Sequence, residues 1–467
     1  MVKGWPISRR SLLAAPLATL LPREGPAAAA VETGRRFLWG ASTSATQIEG
    51  AATEDGRGPS IWDRFAAEPG RIADGSTPAV ACDHYHRWQG DVGLMRELGI
   101  NAYRFSIAWP RVMPSGRGRV NPSGLAFYDR LVDGLLAAGI LPMPCLYHWD
   151  LPWALHQAGG WLNRDCAGWF ADYAAVVVRR LGDRVAHWFM LNEPSIQAMF
   201  GYALGDHAPG LKGGVPAFLA ALHNQNRAQG LALRALRAAG SGLELGTVLS
   251  LQPTLPDSDD PADRRAAIRW DAAWNRLALD GLLRGQIPDA LAPAMTDIVK
   301  PGDLDSIRFP IDLLGVNYYS KMTVRHQPGA LFDVGWGRPR TDRFTAMGWP
   351  VQPEGLFELL MELKQLYGNP KVIITENGAA YDDRPDAAGV VADTDRVAFL
   401  HDHVREVARA RTAGCRVVGY MVWSLMDNFE WAAGYSRRFG LLYVDYQTQR
   451  RTRKQSFDWY RGIVSGR

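Results

Sequence analysis

The sequence predicts an α/β protein whose single domain is a (β/α)8 TIM barrel. Three observations predict this fold: strand-like and helix-like segments alternate after residue 35, eight strand-like segments can be counted, and polar side chains follow nearly all of them. A doubly wound open sheet is the alternative, but no glycine-rich phosphate loop follows any predicted strand. Neither a low-complexity linker nor an internal repeat divides the 467 residues, so we expect one catalytic domain over residues 31–467.

The predicted strands are short runs of apolar and β-branched residues. They cover residues 37–41, 101–107, 141–149, 187–193, 244–251, 312–319, 371–376 and 417–425. Segments with helical spacing cover residues 84–98, 124–138, 165–181, 215–239, 260–283, 353–367 and 393–413, and residues 302–308 give at most a short helix. Strand seven is the clearest: Val372, Ile373 and Ile374 form an unbroken run typical of a strand covered on both faces, and Asn377-Gly378 is predicted to end it.

The charge balance excludes two classes of partner. The net charge is +4, and residues 1–30 account for +3 of it (Lys3, Arg9, Arg10 and Arg23 against Glu24), which leaves +1 for the remainder. The sequence therefore lacks the basic stripe that would indicate binding to nucleic acid or to an anionic membrane surface. The 17 Trp and 15 Tyr are numerous, and their flat apolar faces and polar edges suit sugar rings, although tryptophan can equally fill a core.

Residues 1–30 have the composition of an export signal. The pair Arg9-Arg10 precedes an Ala/Leu-rich run to Leu21, and a small-residue segment ends at Ala30. The run is too short for a stable membrane span, and its order resembles a twin-arginine signal, which exports folded proteins. We expect cleavage near Ala30 and a periplasmic or secreted mature protein without a membrane span; a disordered Ala-rich tail is the alternative.

Four cysteines are scattered through the chain without the C-x-x-C spacing of a metal or redox site. They are Cys82, Cys145, Cys166 and Cys415. We expect buried free thiols, a state that suits a protein folded in the cytoplasm before export.

Chemically useful side chains cluster where the predicted strands end. Seven of the eight strands, all but strand five, run into such residues: Gln47 and Glu49, Arg104, His148 and Asp150, Asn192 and Glu193, Asn317 and Tyr319, Glu376, and Trp423 leading to Asn428, Glu430 and Trp431. Because the carboxyl ends of all strands meet at one end of a barrel, these residues predict a single lined pocket.

Two carboxylates, Glu193 and Glu376, hold equivalent positions on strands four and seven. Barrel closure would bring them to opposite sides of one mouth, where a carboxyl pair among amides, His, Tyr and Trp indicates glycoside hydrolysis. One carboxyl must protonate the departing oxygen, and the other must be ionised to attack or stabilise the anomeric carbon. A separation of roughly 5–5.5 Å would predict retention of configuration, and about 6.5–9.5 Å would predict inversion.

The neighbours of the two carboxylates predict their roles. We expect Glu376 to face Arg104 and Tyr319, a cation and a phenol that favour the charged form, so Glu376 is the predicted nucleophile. Its charge would raise the pKa of Glu193, the predicted acid/base. Pro194 would remove a backbone donor and bias Glu193 toward extended geometry.

Several ordered motifs carry a family resemblance. Asn192-Glu193-Pro194 and Ile374-Thr375-Glu376-Asn377-Gly378 resemble the two signatures of family 1 glycoside hydrolases, the β-glucosidase family. The similarity runs from about Phe37 to Tyr460 and includes Phe37-Leu38-Trp39-Gly40-Ala41, Tyr103-Arg104-Phe105-Ser106, Tyr147-His148-Trp149-Asp150-Leu151-Pro152, Gly315-Val316-Asn317-Tyr318-Tyr319 and the segment from Trp423 to Trp431. The resemblance implies a retaining (β/α)8 enzyme with neither metal nor organic cofactor.

The resemblance also implies roles for single residues. Glu193 corresponds to the acid/base and Glu376 to the nucleophile, in agreement with the roles argued from their neighbours. Positions that bind the non-reducing sugar correspond to Gln47, His148, Asn192, Glu430 and Trp431, with Gln47 and Glu430 gripping its outer hydroxyls. Trp423 corresponds to the floor on which that sugar stacks, Asn317 and Tyr319 to residues near the 2-hydroxyl and the nucleophile, and Trp349 to a wall on the leaving-group side.

Variation within the family bears on the substrate. Glu430 stands where enzymes for 6-phosphoglycosides carry small or basic residues, and an acid would repel a phosphate dianion. Glu193 is present where plant thioglucosidases lack an acid, so O-glycosides are expected. Ser195, where an aromatic residue commonly follows the first signature, and Asp206 lie toward the leaving-group side and leave the aglycone preference open.

We therefore expect a retaining exo-β-glycosidase, a β-glucosidase acting on small β-glucosides or cello-oligosaccharides. A broad β-galactosidase or β-fucosidase of the same mechanism is the alternative. A catalytically inactive sugar-binding barrel would lack one of the two carboxylates, and both are present. An aldolase or a metal-dependent hydrolase would need a Schiff-base lysine or a His/Asp cluster at the strand ends, and the sequence shows neither.

Overall fold

Eight parallel strands close into a barrel in the computed structural model, which describes residues 37–240 and 242–466. The strands are β1 Leu38–Ser42, β2 Ala102–Ser106, β3 Leu141–Tyr147, β4 His187–Asn192, β5 Glu244–Ser250, β6 Leu313–Asn317, β7 Val372–Asn377 and β8 Val417–Trp423. Consecutive strands are neighbours, and β1 pairs with β8 from Leu38↔Gly419 to Ser42↔Trp423 to close the sheet. The predicted (β/α)8 barrel and its eight strands are confirmed.

Within the described residues, a helix follows each strand and packs outside the barrel. The helices are α1 His84–Leu98, α2 Pro122–Ala137, α3 Cys166–Leu181, α4 Gly214–Ala239, α5 Pro261–Asp271, α6 Glu354–Leu366, α7 Thr394–Thr412 and α8 Gln455–Val464. The first seven were predicted and α8 was not. The predicted helix over 260–283 is interrupted, because α5 passes through a π-helical turn, Ala272–Arg276, into Leu277–Arg284.

Shorter elements occupy the connections. There are two small sheets among the described residues. One has the three strands Thr254–Pro256, Met322–His326 and Val334–Trp336, and the other has the two strands Leu442–Asp445 and Arg450–Arg453. The short helices are Ala45–Ile48, Ile61–Ala67, Trp109–Val112, Trp153–Gln157, Gly160–Leu162, Pro194–Ile196, Gln197–Leu204, Ala292–Met295, Asp303–Ile307, Leu331–Asp333 and Trp431–Ala433. Only Asp303–Ile307 was predicted, because segments of three to eight residues show too little periodicity to be recognised.

The barrel interior is a packed apolar layer. Its buried members come from β2 to β8: Ala102, Met143, Cys145, Phe189, Val248, Leu313, Ile373 and Met421. On β7, Ile373 belongs to this interior layer, whereas Val372 and Ile374 belong to the core between barrel and helices. Both faces of the strand are therefore buried, which accounts for its unbroken apolar run.

The end of β7 is set by close packing as well as by the Asn-Gly pair. Asn377 is still part of the strand, where its Nδ2 donates to the Tyr318 carbonyl at 2.7 Å and its Oδ1 accepts from Tyr420 Oη at 2.6 Å. A Cβ atom on Gly378 would lie 1.7 Å from the Trp423 carbonyl oxygen. The ends of β7 and β8 therefore meet backbone to backbone beside Glu376, and only glycine fits there.

The predicted export signal over residues 1–30 lies outside the described residues. Among the residues that are described, no helix is long and apolar enough to cross a membrane. All four cysteines are buried free thiols, as predicted.

Candidate active site

The carboxyl end of β4 delivers Glu193 to the barrel mouth. Its N–H still donates to the Val248 carbonyl on β5 at 2.9 Å, and Pro194 begins the short helix Pro194–Ile196. The prediction that Pro194 keeps Glu193 extended is wrong: Glu193 adopts φ 46° and ψ 60°, in the left-handed region. Proline disfavours the right-handed helical region for the residue before it, and the surrounding barrel selects this rarer alternative. The chain thus turns away at Glu193 itself while its side chain lines the mouth.

On β7, Glu376 lies against two donors. Arg104 Nη1 on β2 donates to Oε1 at 2.6 Å, and Tyr319 Oη donates to Oε2 at 2.7 Å. Arg104 is 1% exposed and Glu376 is 3% exposed, so water screens this ion pair very little. The predicted convergence of strands two, six and seven is confirmed.

Two asparagines link this ion pair to the second carboxyl. Asn192 Oδ1 accepts from Arg104 Nη2 at 2.6 Å and from Asn317 Nδ2 at 3.1 Å. Asn317 Nδ2 also donates to Glu193 Oε1 at 2.9 Å, while its Oδ1 accepts from Thr375 Oγ1 at 2.7 Å. These partners fix the orientation of both amides. A hydrogen-bonded path therefore runs from Arg104 to Glu193.

The two carboxyls differ in basicity because their partners differ. Burial, followed by the charge of Glu376, raises the pKa of Glu193 to about 8. Burial also raises the pKa of Glu376, but Arg104 and Tyr319 oppose that rise. Because the ion pair belongs to Glu376 and the nearest donors of Glu193 are neutral, Glu376 carries the charge at neutral pH and Glu193 carries the proton.

Beyond β8, Gln47 is bonded to the segment that carries Glu430. Gln47 Nε2 donates to Asn428 Oδ1 and to the Phe429 carbonyl, each at 3.0 Å, and lies 3.5 Å from Glu430 Oε2. Ser44 Oγ donates to Gln47 Oε1 at 2.6 Å, which fixes the amide orientation. Gln47 and Glu430, the two residues predicted to grip the outer hydroxyls of the sugar, therefore lie beside each other.

Glu430 is a third buried acid of the mouth. Burial, followed by the charges of Glu376 and Glu193, raises its pKa to about 8. At neutral pH it therefore retains its proton and can donate as well as accept a hydrogen bond.

Aromatic rings form one wall of the site. His148 lies nearly parallel to Trp423 and Trp431, with ring centroids 5.9 and 5.7 Å away. Trp431 in turn packs against Trp62 and Trp149, each at 4.6 Å between centroids. These contacts between rings hold Trp423 and Trp431 in one defined orientation.

His148 adds hydrogen bonding rather than charge. Burial, followed by the charge of Arg104, lowers the pKa of His148 well below its ordinary value. Asn192 Nδ2 lies 3.1 Å from His148 Nε2, and because that amide nitrogen can only donate, the ring proton must be on Nδ1.

A cavity of about 740 Å³ joins these groups. Its inner part contains the carboxyls and Trp423, and its outer part is mainly apolar, lined by Phe200, Trp274, Met322, Trp336, Phe344, Met347 and Trp349. Trp336 and Phe344 are 59% and 47% exposed and mark the entrance. Trp349 packs against Tyr319 with 5.1 Å between ring centroids.

The structure brings the predicted site residues together in two tiers. Eight line the cavity: Glu193, Glu376, His148, Tyr319, Trp349, Trp423, Glu430 and Trp431. The other four, Gln47, Arg104, Asn192 and Asn317, stand behind this lining, and each is hydrogen-bonded to a residue in it.

Sequence reasoning missed several supporting residues. Ser250, at the end of β5, lines the cavity and hydrogen-bonds Glu193, although strand five was the one strand credited with no useful residue. Considering the polar residue at the end of strand five, as was done for the other strands, would have identified Ser250. Thr375 and Trp149 also support the site, since Trp149 Nε1 donates to the Asn192 carbonyl at 2.9 Å. His207 lines the outer cavity next to Asp206, which the sequence placed toward the leaving-group side, but His207 itself was not singled out.

A closed (β/α)8 barrel that presents two buried carboxyls of unequal basicity in an aromatic cavity is typical of enzymes that cleave glycosidic bonds. Comparison with known proteins defines the family. The family model described as Glycosyl hydrolase family 1 matches residues 32–467, and the chain belongs to this family.

Individual relatives match over nearly the whole barrel. The chain is 49% identical to the thermostable beta-glucosidase B of Thermobispora bispora over 436 residues, 92% of this chain and 89% of the relative. It is 47% identical to the bifunctional beta-D-glucosidase/beta-D-fucosidase of Bifidobacterium breve, covering 92% and 97%. The crystal structure of the psychrophilic beta-glucosidase BglU from Micrococcus antarcticus matches with a TM-score of 0.89 at 47% identity, over 92% of this chain and 96% of that chain.

Replacing Glu376 by glutamine tests the electrostatic coupling. Glu376→Gln removes the neighbouring negative charge and leaves Arg104 uncompensated, so the pKa of Glu193 should fall from about 8 while staying above that of a free glutamate because the site remains buried. Infrared or carbon NMR titration of the carboxyl measures the shift. An unchanged pKa of Glu193 would contradict the coupling, and the exposed substitution Glu97→Gln serves as the control.

Proposed function

We propose that this glycoside hydrolase releases terminal β-D-glucosyl residues from the non-reducing end of β-glucosides, with retention of configuration. The observation that carries the proposal is the division of roles between two carboxyls in one cavity. Glu376 is paired with Arg104, whereas Glu193 keeps its proton at neutral pH because its pKa is raised to about 8. A carboxylate nucleophile and a protonated acid are the two groups that the retaining reaction needs.

The reaction proceeds in two displacements. Glu376 attacks the anomeric carbon while Glu193 gives its proton to the glycosidic oxygen, so the glycosidic bond breaks and a glycosyl ester of Glu376 forms. Glu193, now ionised, removes a proton from water, and the water oxygen displaces Glu376 from the anomeric carbon. Each displacement inverts that carbon, so the released sugar has the starting configuration.

The surrounding residues take the roles that the family resemblance implies. Trp423 is the floor on which the non-reducing sugar stacks, and His148, Asn192, Glu430, Trp431 and Gln47 bind its hydroxyls. Asn317 and Tyr319 act near the 2-hydroxyl and the nucleophile, Arg104 supports the nucleophile, and Trp349 borders the leaving group. Their support is positional: eight of the predicted residues line one cavity, and the others are hydrogen-bonded to that lining.

The preferred substrates are neutral β-glucosides and cello-oligosaccharides, with side activity on β-fucosides. The names of the relatives support this choice, including the bifunctional glucosidase/fucosidase at 47% identity. Glu430 repels a phosphate less than an ionised acid would, since its pKa is raised to about 8. The cavity is nevertheless unsuited to phosphosugars: among its described lining residues the one cation is Lys321, and Glu354 and Glu358 bind it at 3.0 and 2.9 Å.

Glu376→Ala should lower kcat for 4-nitrophenyl β-D-glucoside by ~10⁴-fold or more, because no other group can form the glycosyl ester. Colorimetric rates with the purified variant measure the loss, and Glu97→Ala on the exposed face of α1 is the control that should keep full activity. Near-wild-type hydrolysis by the Glu376 variant would refute the assignment.

Glu193→Ala should lower kcat/KM by ~10²- to 10⁴-fold for methyl β-D-glucoside, which has a poor leaving group, and far less for 2,4-dinitrophenyl β-D-glucoside, which departs unprotonated. In the wild type, kcat/KM should decline as pH rises through about 8, where Glu193 loses its proton, and the variant should lack this decline. Equal losses on both substrates would count against an acid role.

We also propose that residues 1–30 direct export of the folded enzyme to the periplasm or beyond. The proposal is supported by the Arg9-Arg10 pair before an apolar run and by four cysteines that need no oxidation to be accommodated. Changing both arginines to lysine should leave the enzyme in the cytoplasm, as measured by activity in cell fractions. N-terminal sequencing of exported protein should begin near residue 31; a start at Met1 would contradict cleavage.

A further inference from the structure

Six charged side chains form one ionic cluster behind the segment that follows β8. They are Asp383, Asp393, Arg396, Asp427, Arg438 and Lys454, and the cluster is neutral because it contains three acids and three bases. Five of them are buried, and Arg438 is half-buried. A buried charge is costly without its partner, so the members depend on one another.

Asp427 is the centre of the cluster. Its Oδ1 accepts from Lys454 Nζ at 2.6 Å and from the Gly440 N–H at 2.9 Å, and its Oδ2 accepts from Arg438 Nη1 at 2.7 Å. Arg438 and Gly440 lie more than ten residues along the chain from Asp427. These bonds therefore close residues 428–439, which we name the β8 loop, at its base.

The other side of the cluster reaches β7. Lys454 Nζ also bonds Asp383, and Asp383 Oδ2 lies 2.6 Å from Arg396 Nη2. Arg396 Nε donates to the Ala379 carbonyl at 3.1 Å. Ala379 follows Glu376 closely in the chain, so the cluster joins the β8 loop to the segment that leaves β7 just beyond Glu376.

The β8 loop contributes Glu430, Trp431 and Phe439 to the cavity. Within the loop, the Glu430 N–H donates to the Gly434 carbonyl at 2.7 Å, which couples Glu430 to the loop backbone. A displacement of the loop base would therefore move Glu430 relative to Glu376.

We propose that Lys454 is a positioning residue for sugar recognition: by joining Asp427 to Asp383, it keeps the β8 loop, and with it Glu430, in place relative to Glu376. This inference rests on the proposed function, in which Glu430 binds the outer hydroxyls of the non-reducing sugar. Lys454 itself is 1% exposed and lies outside the cavity lining. Without its ammonium group, Asp383 and Asp427 would lose the cation that joins them, which would loosen the β8 loop from β7.

The test compares two substrates that differ at one outer hydroxyl, 4-nitrophenyl β-D-glucoside and its 6-deoxy analogue. The double variant Lys454→Met/Asp383→Asn removes one cation and one carboxylate and leaves the cluster neutral. Its kcat/KM for the glucoside should fall about tenfold, the effect of losing one hydrogen bond, chiefly through KM. Its kcat/KM for the 6-deoxy substrate should change by less than about threefold.

Two further variants make the result decisive. Arg438→Met removes the half-buried member, so it should fold readily and shift the ratio of the two kcat/KM values in the same direction by a smaller factor. Arg227→Met is the matched control, because Arg227 on α4 lies 3.1 Å from Asp303 and both residues are outside the cavity lining. It should leave the ratio unchanged.

Equal losses on both substrates in the folded double variant and in Arg438→Met would overturn the positioning role. The positioning role would also be overturned if Arg227→Met shifted the ratio of the two kcat/KM values as much as the double variant does. Thermal unfolding shows which variants are folded, and if the double variant is not, Arg438→Met decides alone. A wild-type enzyme that hydrolyses neither substrate would contradict the proposed function instead, and this is seen before any variant is made.

Discussion

The buried ion pair between Arg104 and Glu376 sets the charge state of the whole mouth. Three carboxyls line the described cavity, and one guanidinium stands directly behind one of them. Burial raises the pKa values of Glu193 and Glu430, and the charge on Glu376, which Arg104 stabilises, raises them further, so both keep their protons at neutral pH. A single cation on β2 thus distinguishes three chemically similar side chains.

The barrel makes this arrangement possible by bringing distant strand ends together. Arg104 and Glu376 are separated by 272 residues in the chain, yet their side chains are 2.6 Å apart. Asn192 and Asn317 carry the connection on to Glu193, and each amide is oriented by partners on a different strand. The inner part of the cavity is therefore rigid and polar, whereas the outer part depends on the loops and is largely apolar.

The strands were predictable because a parallel barrel buries both faces of its strands and gives them unbroken apolar runs, as on β7. The helices α1 to α7 were predictable because they are long enough to show helical spacing, unlike most of the short helices in the connections. The two carboxyls were predictable because the carboxyl ends of barrel strands all meet at one mouth, so polar residues at those ends line the same pocket. The backbone of Glu193 was not, since proline restricts its neighbour locally while the barrel decides which remaining region is used. The ionic cluster was also hidden, because Asp383 and Lys454 are 71 residues apart and single charges in loops carry no pattern. The pKa of Glu430 likewise depends on burial, which composition does not reveal.

The pairing of β1 with β8 has a consequence for folding during synthesis of the chain. Ser42 and its partner Trp423 lie at opposite ends of the described chain. At a synthesis rate of about 5–20 residues per second, one edge of β1 remains unpaired for roughly 20–75 s before β8 is synthesised. During that interval the nascent sheet is open, and its unpaired edge can pair with another chain. The same closure that makes the finished barrel free of edges is therefore a late step of its assembly, because it requires β8 to have been synthesised.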